Sequence, residues 1–519
     1  MIIDLSQKKD KLIISSVNVN GGIDIDAVPM DSENIDEYYY KYIETSEDDP
    51  QAIPNLKSFR GSNIKKEKSH YFEGTHINEF LNVDLKNRSK ELFDKTRLMK
   101  IPNPFSFDIE TEITDEYGYS TPELTENKIL SITIADINLS AVYLTIKHDK
   151  YPDFVKNNEL NPIERGIIDG VLQTALGKYF FKGGKDGKSQ IEYSVIVFET
   201  EYEMLTTFLH YINKFFHLLI GWNTINFDLP WIFNRCAKIG IDIRKASPTN
   251  ELSNPKNSVN LALNIPIKYP KHRLSLDYMN IFKASTKYTN FESFSLDAVA
   301  ENILKINKVT YDGNLRSLYY NDYNRFVAYA LVDVILVMLL HKVTNLLSIF
   351  FFQSYYCKIP FTSLNQNPIS MALIYNKLRS KGIYMLNEEY TNNKNRNYIG
   401  GYVKAPTKHS TKAAMCIDFN SLYPNSMISG YLSVETKFPD TIETVDGIPK
   451  DKHNEDKFNK YINSGYSVTP MGRIYKTDPE NLVGSIEEDL LKERKIYRNA
   501  MDDIYLNIIP KIKEKLGHT

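Results

Sequence analysis

The stretch Phe105-Ser-Phe-Asp-Ile-Glu-Thr111 alternates apolar and polar side chains, a pattern that predicts a half-buried β-strand. Asp108 and Glu110 are two positions apart, and a period of two places both side chains on one face of that strand. Two carboxylates that point together repel each other unless a proton or a cation lies between them. Hard cations such as Mg²⁺ prefer ligand sets made only of oxygen. For Asp-x-Glu taken alone, however, an exposed acidic strand is the more frequent explanation.

The chain around this strand alternates strand-like and helix-like segments. Apolar runs or alternating patterns predict strands at 129–135, 141–146 and 194–198, and helical spacing follows at 201–216. The alternation continues to about residue 345 and predicts an α/β fold for this part of the chain. Further on, the pattern predicts apolar helices within 346–390, a strand at 413–418, a helix that starts after Pro424, loops at 431–480, and a helix at 487–505 that ends near Pro510.

A second acidic residue lies at the end of Gly221-Trp-Asn-Thr-Ile-Asn-Phe-Asp228. The segment follows the apolar run Leu218-Leu-Ile220 and precedes Leu229-Pro-Trp-Ile-Phe233, so it predicts a rigid turn between a strand and a helix. Asn223 and Phe227 are candidates for nucleotide contacts. The alternative is an ordinary turn and helix cap, for which Asn and Asp are both suited.

A third acidic residue, Asp333, lies in the strongly apolar helical segment Tyr329-Ala-Leu-Val-Asp333. Positions i and i+4 share one face of a helix, so Tyr329 lies beside Asp333. A buried carboxylate is costly without a partner. The partner is either a metal ion or, as the alternative, a hydrogen-bonding group, and in the first case Tyr329 is placed to orient a water molecule.

These three segments, in this order, resemble the exonuclease motifs of DnaQ-like 3′–5′ proofreading nucleases, which have an RNase H-like fold. The resemblance implies that Asp108, Glu110, Asp228 and Asp333 hold two divalent ions, Mg²⁺ or in its place Mn²⁺. It also implies that Tyr329 aligns the attacking water.

The segment Met415-Cys-Ile-Asp-Phe-Asn-Ser-Leu-Tyr-Pro-Asn-Ser-Met427 resembles motif A of B-family DNA polymerases. By this resemblance Asp418 is a catalytic metal ligand of the polymerase site. Ser421, Leu422 and Tyr423 would then bind the incoming nucleotide, and the Tyr423 ring would exclude a 2′-hydroxyl. The alternative, a strand that ends in a tyrosine-containing turn, is credible only when the segment is taken without the rest of the chain.

Two further segments fit the same family. Tyr398-Ile-Gly-Gly401 resembles its Tyr-x-Gly-Gly element, so Tyr398, Gly400 and Gly401 are expected to contact DNA, although a Gly-Gly pair is also an ordinary turn. Lys492-Glu-Arg-Lys-Ile-Tyr-Arg498 resembles the first fingers helix. Arg494 and Arg498 share one helix face there and are expected to bind the triphosphate. Taken alone, the pair is more simply a solvated charged face.

The whole pattern resembles the replicative polymerases of T-even-type bacteriophages, and it predicts a multidomain α/β and α+β protein. The implied domains are an N-terminal domain (1–102, completed by about 346–389), an exonuclease domain (103–345), a partial palm (390–479) and an incomplete first fingers helix (480–519). The sequence has no Lys-x-x-x-Asn-Ser-x-Tyr-Gly motif and no Asp-Thr-Asp motif, which supply the remaining polymerase residues in the family. We therefore expect a second, C-terminal polypeptide as a partner, or a chain cut short.

The family resemblance also implies the other partners and the location. The partners are single-stranded and primer-template DNA, a dNTP and a sliding clamp. The protein is expected to be phage-encoded and to lie in the cytoplasm of the host cell. The alternatives are a non-catalytic subunit that retains the exonuclease fold and binds DNA or a partner, and a free-standing ribonuclease of the same superfamily, against which motif A argues.

Bulk composition limits these expectations. The 519 residues have a net charge of −2, so DNA affinity requires local basic surfaces rather than a globally basic protein. The three cysteines lack Cys-x-x-Cys spacing, which argues against a thiolate zinc site and a disulfide framework. The most apolar stretch, 334–340, is shorter than a membrane span requires, so no membrane association is expected.

Overall fold

In the computed structural model of the protein, the residues described are 2–8, 11–17, 22–29, 39–42, 56–58, 65–68, 102–116, 118, 120–156, 159–182, 189–252, 269–285, 291–357, 373–374, 377, 383–385, 415 and 418–515. They divide into two compact units, and each unit combines two stretches of the chain. Unit 1 comprises 1–36 and 71–368, and unit 2 comprises 37–70 and 369–519. The four domain boundaries expected from the sequence remain predictions.

Strands occur in both units. In chain order they are β1 Ile2–Lys8, β2 Lys11–Val17, β3 Ile23–Pro29, β4 Tyr39–Tyr42, β5 Leu56–Ser58, β6 Lys65–Lys68, β7 Pro104–Thr111, β8 Ile129–Asp136, β9 Ala141–Ile146, β10 Val155–Lys156, β11 Glu159–Leu160, β12 Phe181–Lys182, β13 Ser189–Gln190, β14 Tyr193–Phe198, β15 Leu218–Gly221, β16 Leu274–Asp277, β17 Ile383–Met385, β18 Lys437–Thr441, β19 Thr444–Val445, β20 Ile448–Pro449, β21 Tyr466–Val468 and β22 Arg473–Lys476.

Helices make up much of the remainder. In chain order the α-helices are α1 Pro162–Leu176, α2 Glu201–Lys214, α3 Asp228–Lys238, α4 Tyr278–Ala284, α5 Leu296–Leu304, α6 Leu315–Asn321, α7 Tyr323–Thr344, α8 Leu346–Cys357, α9 Leu422–Ser429, α10 Lys452–Asn463, α11 Leu482–Asp503 and α12 Ile509–Lys515. Short 3₁₀ turns occur at Gly177–Tyr179 and Ile243–Ala246, and a π-helical turn occurs at Ile504–Ile508.

A six-stranded mixed sheet organises unit 1, in the order β14-β9-β8-β7-β15-β16. Strand β8 is antiparallel to both of its neighbours, β7 and β9, while β14, β15 and β16 each run parallel to the strand beside them. Seven of the eight residues of β8 are buried, because apolar layers cover both faces of the sheet at its centre. The predicted α/β character of this region is confirmed.

Helix α7 crosses one face of this sheet and packs against β7 and β8. It is apolar on nearly every side, as a helix surrounded by protein must be. The opposite face is covered by α2 and α3, with Phe208 and Trp231 in the core. The residues that follow the ends of β15 and β16 therefore lie at one edge of the sheet, because these two strands are parallel and paired in register up to Gly221 and Asp277.

The 22 residues of α7 correct one expectation from the sequence. This helix is long and apolar enough to cross a membrane by length and composition, with a mean hydropathy of 2.1 over its best 18-residue window. The apolar stretch is thus longer than the seven residues at 334–340 suggested. However, 83% of that window is buried inside the protein, as in the core helix of a globular unit.

Unit 2 also differs from the sequence expectation. Residues 431–480 were expected to be loops, but they contain the antiparallel sheet β18-β22-β21 and the 12-residue helix α10. Helix α9 begins at Leu422, so Pro424 lies in its first turn and does not precede it, which suits a residue that has no N–H to donate. Helical structure likewise continues past Pro510 to Lys515, since Pro510 lies in the first turn of α12.

Candidate functional site

Three carboxylates meet beside helix α7 in unit 1. Asp108 and Glu110 project from β7, and Asp333 projects from α7, so that one oxygen of each lies within 4.8 Å of the others. Glu110 and Asp333 are buried, and Asp108 is half-buried. The expectation that the spacing of two in β7 places Asp108 and Glu110 together is therefore confirmed.

Asp228 joins this group from a separate turn. It is the first residue of α3, and its Oδ1 accepts a hydrogen bond from the backbone N–H of Ile109, 3.1 Å away, between the two acidic residues of β7. The turn that leads to it is tightly wound. A Cβ on Gly221 would lie 1.7 Å from Thr224 Oγ1 and 2.9 Å from the Phe107 carbonyl oxygen, so only glycine fits there.

A lysine that the sequence analysis did not identify lies at the same site. Lys308 Nζ is 2.5 Å from Asp333 Oδ2 and 5.3 Å from the centre of the Tyr329 ring. Asp297 Oδ1 accepts a hydrogen bond of 2.8 Å from the Lys308 backbone N–H and holds the loop that carries this lysine. Lys308 belongs to no motif and is one of 63 Lys and Arg residues, so the sequence contained no signal that distinguishes it.

Burial and mutual repulsion dominate the electrostatics of the cluster. Burial, together with the charges of Asp228, Glu110 and Asp333, holds the pKa of Asp108 well above its usual range. Burial raises the pKa of Glu110 to about 8 and that of Asp228 to about 7. The pKa of Asp333 is also raised by burial, and Lys308 opposes that shift.

The pKa values of Lys308 and Tyr329, which lie beside the acidic cluster, are also raised. Burial alone would lower the pKa of the Lys308 ammonium, but the charge of Asp333 and its hydrogen bond raise it. Burial raises the pKa of the Tyr329 hydroxyl, and the charge of Asp333 adds to that shift. Both groups therefore keep their protons at neutral pH.

The donor set fits divalent cations. Four carboxylates converge in a buried space, and among the described residues only one cationic side chain, Lys308, offsets their charge. Asp333 Oδ1 is buried and has no hydrogen-bond donor at normal bonding geometry among the described residues. An all-oxygen set of this kind suits Mg²⁺ or Mn²⁺. Asp108, Glu110, Asp228 and Asp333 are the residues that could hold such ions.

The remaining predicted residues of unit 1 lie close to Asp333 or to Asp228 in the chain. Tyr329 is half-buried one helical turn before Asp333, and the edge of its ring meets Tyr311. Phe227 precedes α3 and packs against Trp231, with 5.3 Å between ring centroids. Asn223 is half-buried in a left-handed conformation, with φ of 67°.

The predicted polymerase residues that the structure describes in unit 2 lie on two helices and on the segment that leads into the first of them. Asp418 is exposed in irregular chain, and Ser421, with φ of 50°, is the N-cap residue of α9, which contains Leu422 and Tyr423. Arg494 of α11 donates a hydrogen bond of 3.3 Å to Ser421 Oγ, so the structure brings these two predicted nucleotide-binding residues together.

Other predicted residues of unit 2 are not brought together in this way. Tyr423 and Arg498 are exposed, and no hydrogen bond joins either to Asp418 among the described residues. The predicted DNA contacts Tyr398, Gly400 and Gly401, and most of the strand expected at 413–418, lie outside the described residues.

Comparison with known protein families gives two matches. The family described as DNA polymerase family B, exonuclease domain, matches residues 53–299, and that described as DNA polymerase family B matches residues 359–509. The first match includes Asp108, Glu110 and Asp228, and the second includes Asp418 and Arg494.

Similar individual proteins are also DNA polymerases. The DNA-directed DNA polymerase of Escherichia phage RB69 is 25% identical over 444 residues, which cover 83% of this chain and 44% of that protein. That of Enterobacteria phage T4 is 26% identical over 423 residues, covering 75% of this chain and 44% of that protein. A DNA polymerase of Pyrococcus horikoshii is 26% identical over 277 residues, covering 50% of this chain and 21% of that protein. The chain thus spans less than half the length of these relatives.

Proposed function

Because the chain belongs to DNA polymerase family B, we propose that it is the N-terminal part of a DNA-directed DNA polymerase and that its acidic cluster is a 3′–5′ exonuclease site. We also propose that unit 1 has an RNase H-like fold and that unit 2 contains part of a palm and of a fingers domain. The observation that carries the exonuclease proposal is the convergence of Asp108, Glu110 and Asp333, with Asp228 held against the Ile109 N–H beside them.

In this proposal the substrate is single-stranded DNA with a free 3′ end, and each buried residue has one task. Asp108, Glu110, Asp228 and Asp333 hold two Mg²⁺ or Mn²⁺ ions. When bound, these ions supply a more acidic attacking water and a stabilised 3′-oxygen leaving group. The Tyr329 hydroxyl, protonated because its pKa is raised, orients the water beside Asp333.

Lys308 and the turn before α3 support this chemistry. Lys308 opposes the burial that raises the pKa of Asp333, and it holds the Asp333 carboxylate in place through the 2.5 Å contact between Nζ and Oδ2. Asn223 and Phe227 contact the terminal nucleotide from the turn, where the half-buried Phe227 ring offers a surface on which an unpaired base can stack.

The test is removal of nucleotides from a 5′-labelled single strand by the purified chain with Mg²⁺ or Mn²⁺. We expect 3′–5′ shortening by the unchanged chain, and none above background after combined Asp108→Ala and Glu110→Ala substitution. Glu199→Gln is a matched control, because Glu199 is an exposed acid of the same unit and pairs with Lys147. Full activity in the double variant would refute the site. Absence of carboxylate-dependent uptake of divalent ions in calorimetry would indicate a non-catalytic binding subunit instead.

We further propose that polymerisation requires the family motifs that this sequence lacks, carried either by a second polypeptide or by further residues of the same chain. Two observations support this: the chain matches only 44% of the two phage polymerases, and its sequence lacks the two motifs that complete the family's polymerase site. One carboxylate, Asp418, is insufficient for a reaction in which two metal ions assist phosphoryl transfer. The primer-template DNA and the dNTP would bind the combined protein, and a sliding clamp is a further partner in this proposal.

The surface proposed for that polypeptide is an apolar stripe on α11 and the π-helical turn. We define the stripe as Tyr497, Met501, Ile504 and Ile508, which follow at i, i+4, i+7 and i+11 and are 43–66% exposed. Large exposed apolar patches mark surfaces that another protein covers.

Co-expression with the reading frame that carries the missing motifs tests this partner. We expect co-purification and primer extension, both lost after combined Met501→Ser and Ile508→Ser substitution. Combined Glu488→Ala and Lys492→Ala substitution on the same helix is the control, because these exposed residues pair with each other and lie outside the stripe. Primer extension by the chain alone would contradict the proposal.

A further inference from the structure

Asp277 is a buried acid that belongs to no motif of the predicted site. It is the last residue of β16 and lies beside Gly221, the last residue of β15, in a parallel register. Its Oδ1 accepts a hydrogen bond of 3.3 Å from the Asn280 N–H and so caps α4. The same oxygen accepts one of 3.2 Å from the N–H of Asn223.

The second of these hydrogen bonds reaches the turn of the proposed exonuclease site. Asn223 has φ of 67°, a left-handed conformation that costs free energy for any residue other than glycine. From that position its carbonyl oxygen accepts hydrogen bonds of 3.1 Å from the N–H groups of both Asn226 and Phe227. Asn223 thus determines the path of the chain up to Phe227, and Asp277 holds Asn223 from the neighbouring strand.

Asp228, the metal-binding candidate at the end of this turn, has independent supports. Its Oδ1 accepts from the Ile109 N–H, and its position as the first residue of α3 is fixed by packing of Leu229 and Trp231 in the core. The hydrogen bond that Asp277 accepts from the Asn223 N–H therefore acts on the first half of the turn more than on the acidic cluster.

We propose that Asp277 is a positioning residue for substrate binding, which holds Asn223 and through it Phe227 in the orientation that receives the terminal nucleotide of single-stranded DNA. This inference rests on the proposed exonuclease function. It separates two parts of the site: Asp277 supports the surface that binds the strand, while Asp108, Glu110, Asp228 and Asp333 carry the reaction.

Two substitutions distinguish this role from general structural support. In Asp277→Ser the short hydroxyl still caps α4, since serine is as good an N-cap as aspartate, but it does not reach the Asn223 N–H. In Asp277→Asn the amide oxygen retains both hydrogen bonds. With 5′-labelled single-stranded DNA, we expect Asp277→Ser to raise KM roughly five- to tenfold with kcat within about twofold, as the loss of one hydrogen bond implies. Asp277→Asn should restore the KM of the unchanged chain.

A double substitution checks the route. Combined Asn223→Ala and Phe227→Ala substitution removes both side chains that the turn presents and should raise KM by itself. Adding Asp277→Ser should raise KM no further, because Asp277 acts through those two side chains. The assignment would be overturned by additive effects in the combined variant or by an unchanged KM in Asp277→Ser. It would also be overturned by a fall in kcat as large as the rise in KM for Asp277→Ser, or by an Asp277→Ser protein that does not fold. An unchanged chain that shortens no DNA would refute the exonuclease proposal itself, which is a separate outcome.

Discussion

Glu110 and Asp228 have pKa values of about 8 and about 7, against ordinary values of 4.5 and 3.8, because burial disfavours their charged forms. At a pH between the ordinary and the raised pKa of each group, the folded, metal-free protein holds protons that the unfolded chain has already lost. Stability must then fall as the pH rises, since the folded state binds more protons. A divalent cation that takes the place of those protons should remove most of this dependence.

The first prediction at the residue scale concerns this pH dependence. With a chelator present, we expect the melting temperature of unit 1 to fall as the pH rises from about 4.5 to about 8. With Mn²⁺ the fall should be much smaller, as measured by scanning calorimetry. Glu110→Gln, a neutral residue of equal size, should flatten the chelator curve. A chelator curve that rises over this range would contradict the electrostatic description of the cluster.

A second residue-scale prediction concerns Lys308. Lys308→Met retains the length of the side chain but removes the cation that pairs with Asp333. We expect the nuclease rate to fall roughly 10- to 100-fold, the usual effect of losing a group that orients a metal ligand. Lys305→Met is the matched control, because Lys305 is exposed on the same loop. Equal rates for the two variants would show that the ion pair is dispensable.

The sequence predicted the four acidic residues of unit 1 but not the residues that hold them. Asp108, Glu110, Asp228 and Asp333 occur in motifs with fixed spacing, so they could be identified without a structure. Lys308, Asp277 and Asp297 contact residues that are 25, 54 and 11 positions away in the chain, and none of the three belongs to a motif. Only the packing of the sheet and α7 brings them to the site.

At the scale of elements, the prediction concerns the turn between β15 and α3. Gly221→Ala places a Cβ against Thr224 Oγ1 and the Phe107 carbonyl, so the turn must shift. We expect a loss of about 1–3 kcal/mol in the free energy of unfolding, as for other overpacked sites, measured by denaturant titration.

Gly170→Ala is the control for this substitution. A Cβ at Gly170 has open space around it, and alanine in the middle of α1 should stabilise the protein by about 0.5–1 kcal/mol. Equal stability changes of the same sign at both glycines would show that the turn tolerates the added methyl group.

Strand and helix periodicity predicted unit 1 better than unit 2, for a physical reason. Strands β8 and β9 are long and buried, so their apolar patterns are clear. Helix α10 has the sequence KHNEDKFNKYIN, whose apolar face consists of Phe458, Tyr461 and Ile462 and extends over little more than one turn. Its start is fixed by the Asp451 cap. Strands β18, β21 and β22 have three to five residues each, too few to show a period.

At the scale of the whole molecule, the division into two units predicts two unfolding transitions. Because the four carboxylates belong to unit 1, Mn²⁺ should raise the temperature of one transition and leave the other unchanged. Scanning calorimetry with and without Mn²⁺ measures this, and the combined Asp108→Ala and Glu110→Ala variant should lose the response. A single transition that shifts as a whole would show that the units unfold together.

The discontinuity of unit 2 has a consequence for synthesis on the ribosome. Strand β5 pairs with β17, so Ser58 and its partner Ile383 are 325 positions apart in the chain. At roughly 5–20 residues per second, β5 emerges on the order of 15–65 s before β17 is made. During that interval all of the large sheet of unit 1 leaves the ribosome. The order of translation therefore favours completion of the acidic site before the first segment of unit 2 can find its partner strand.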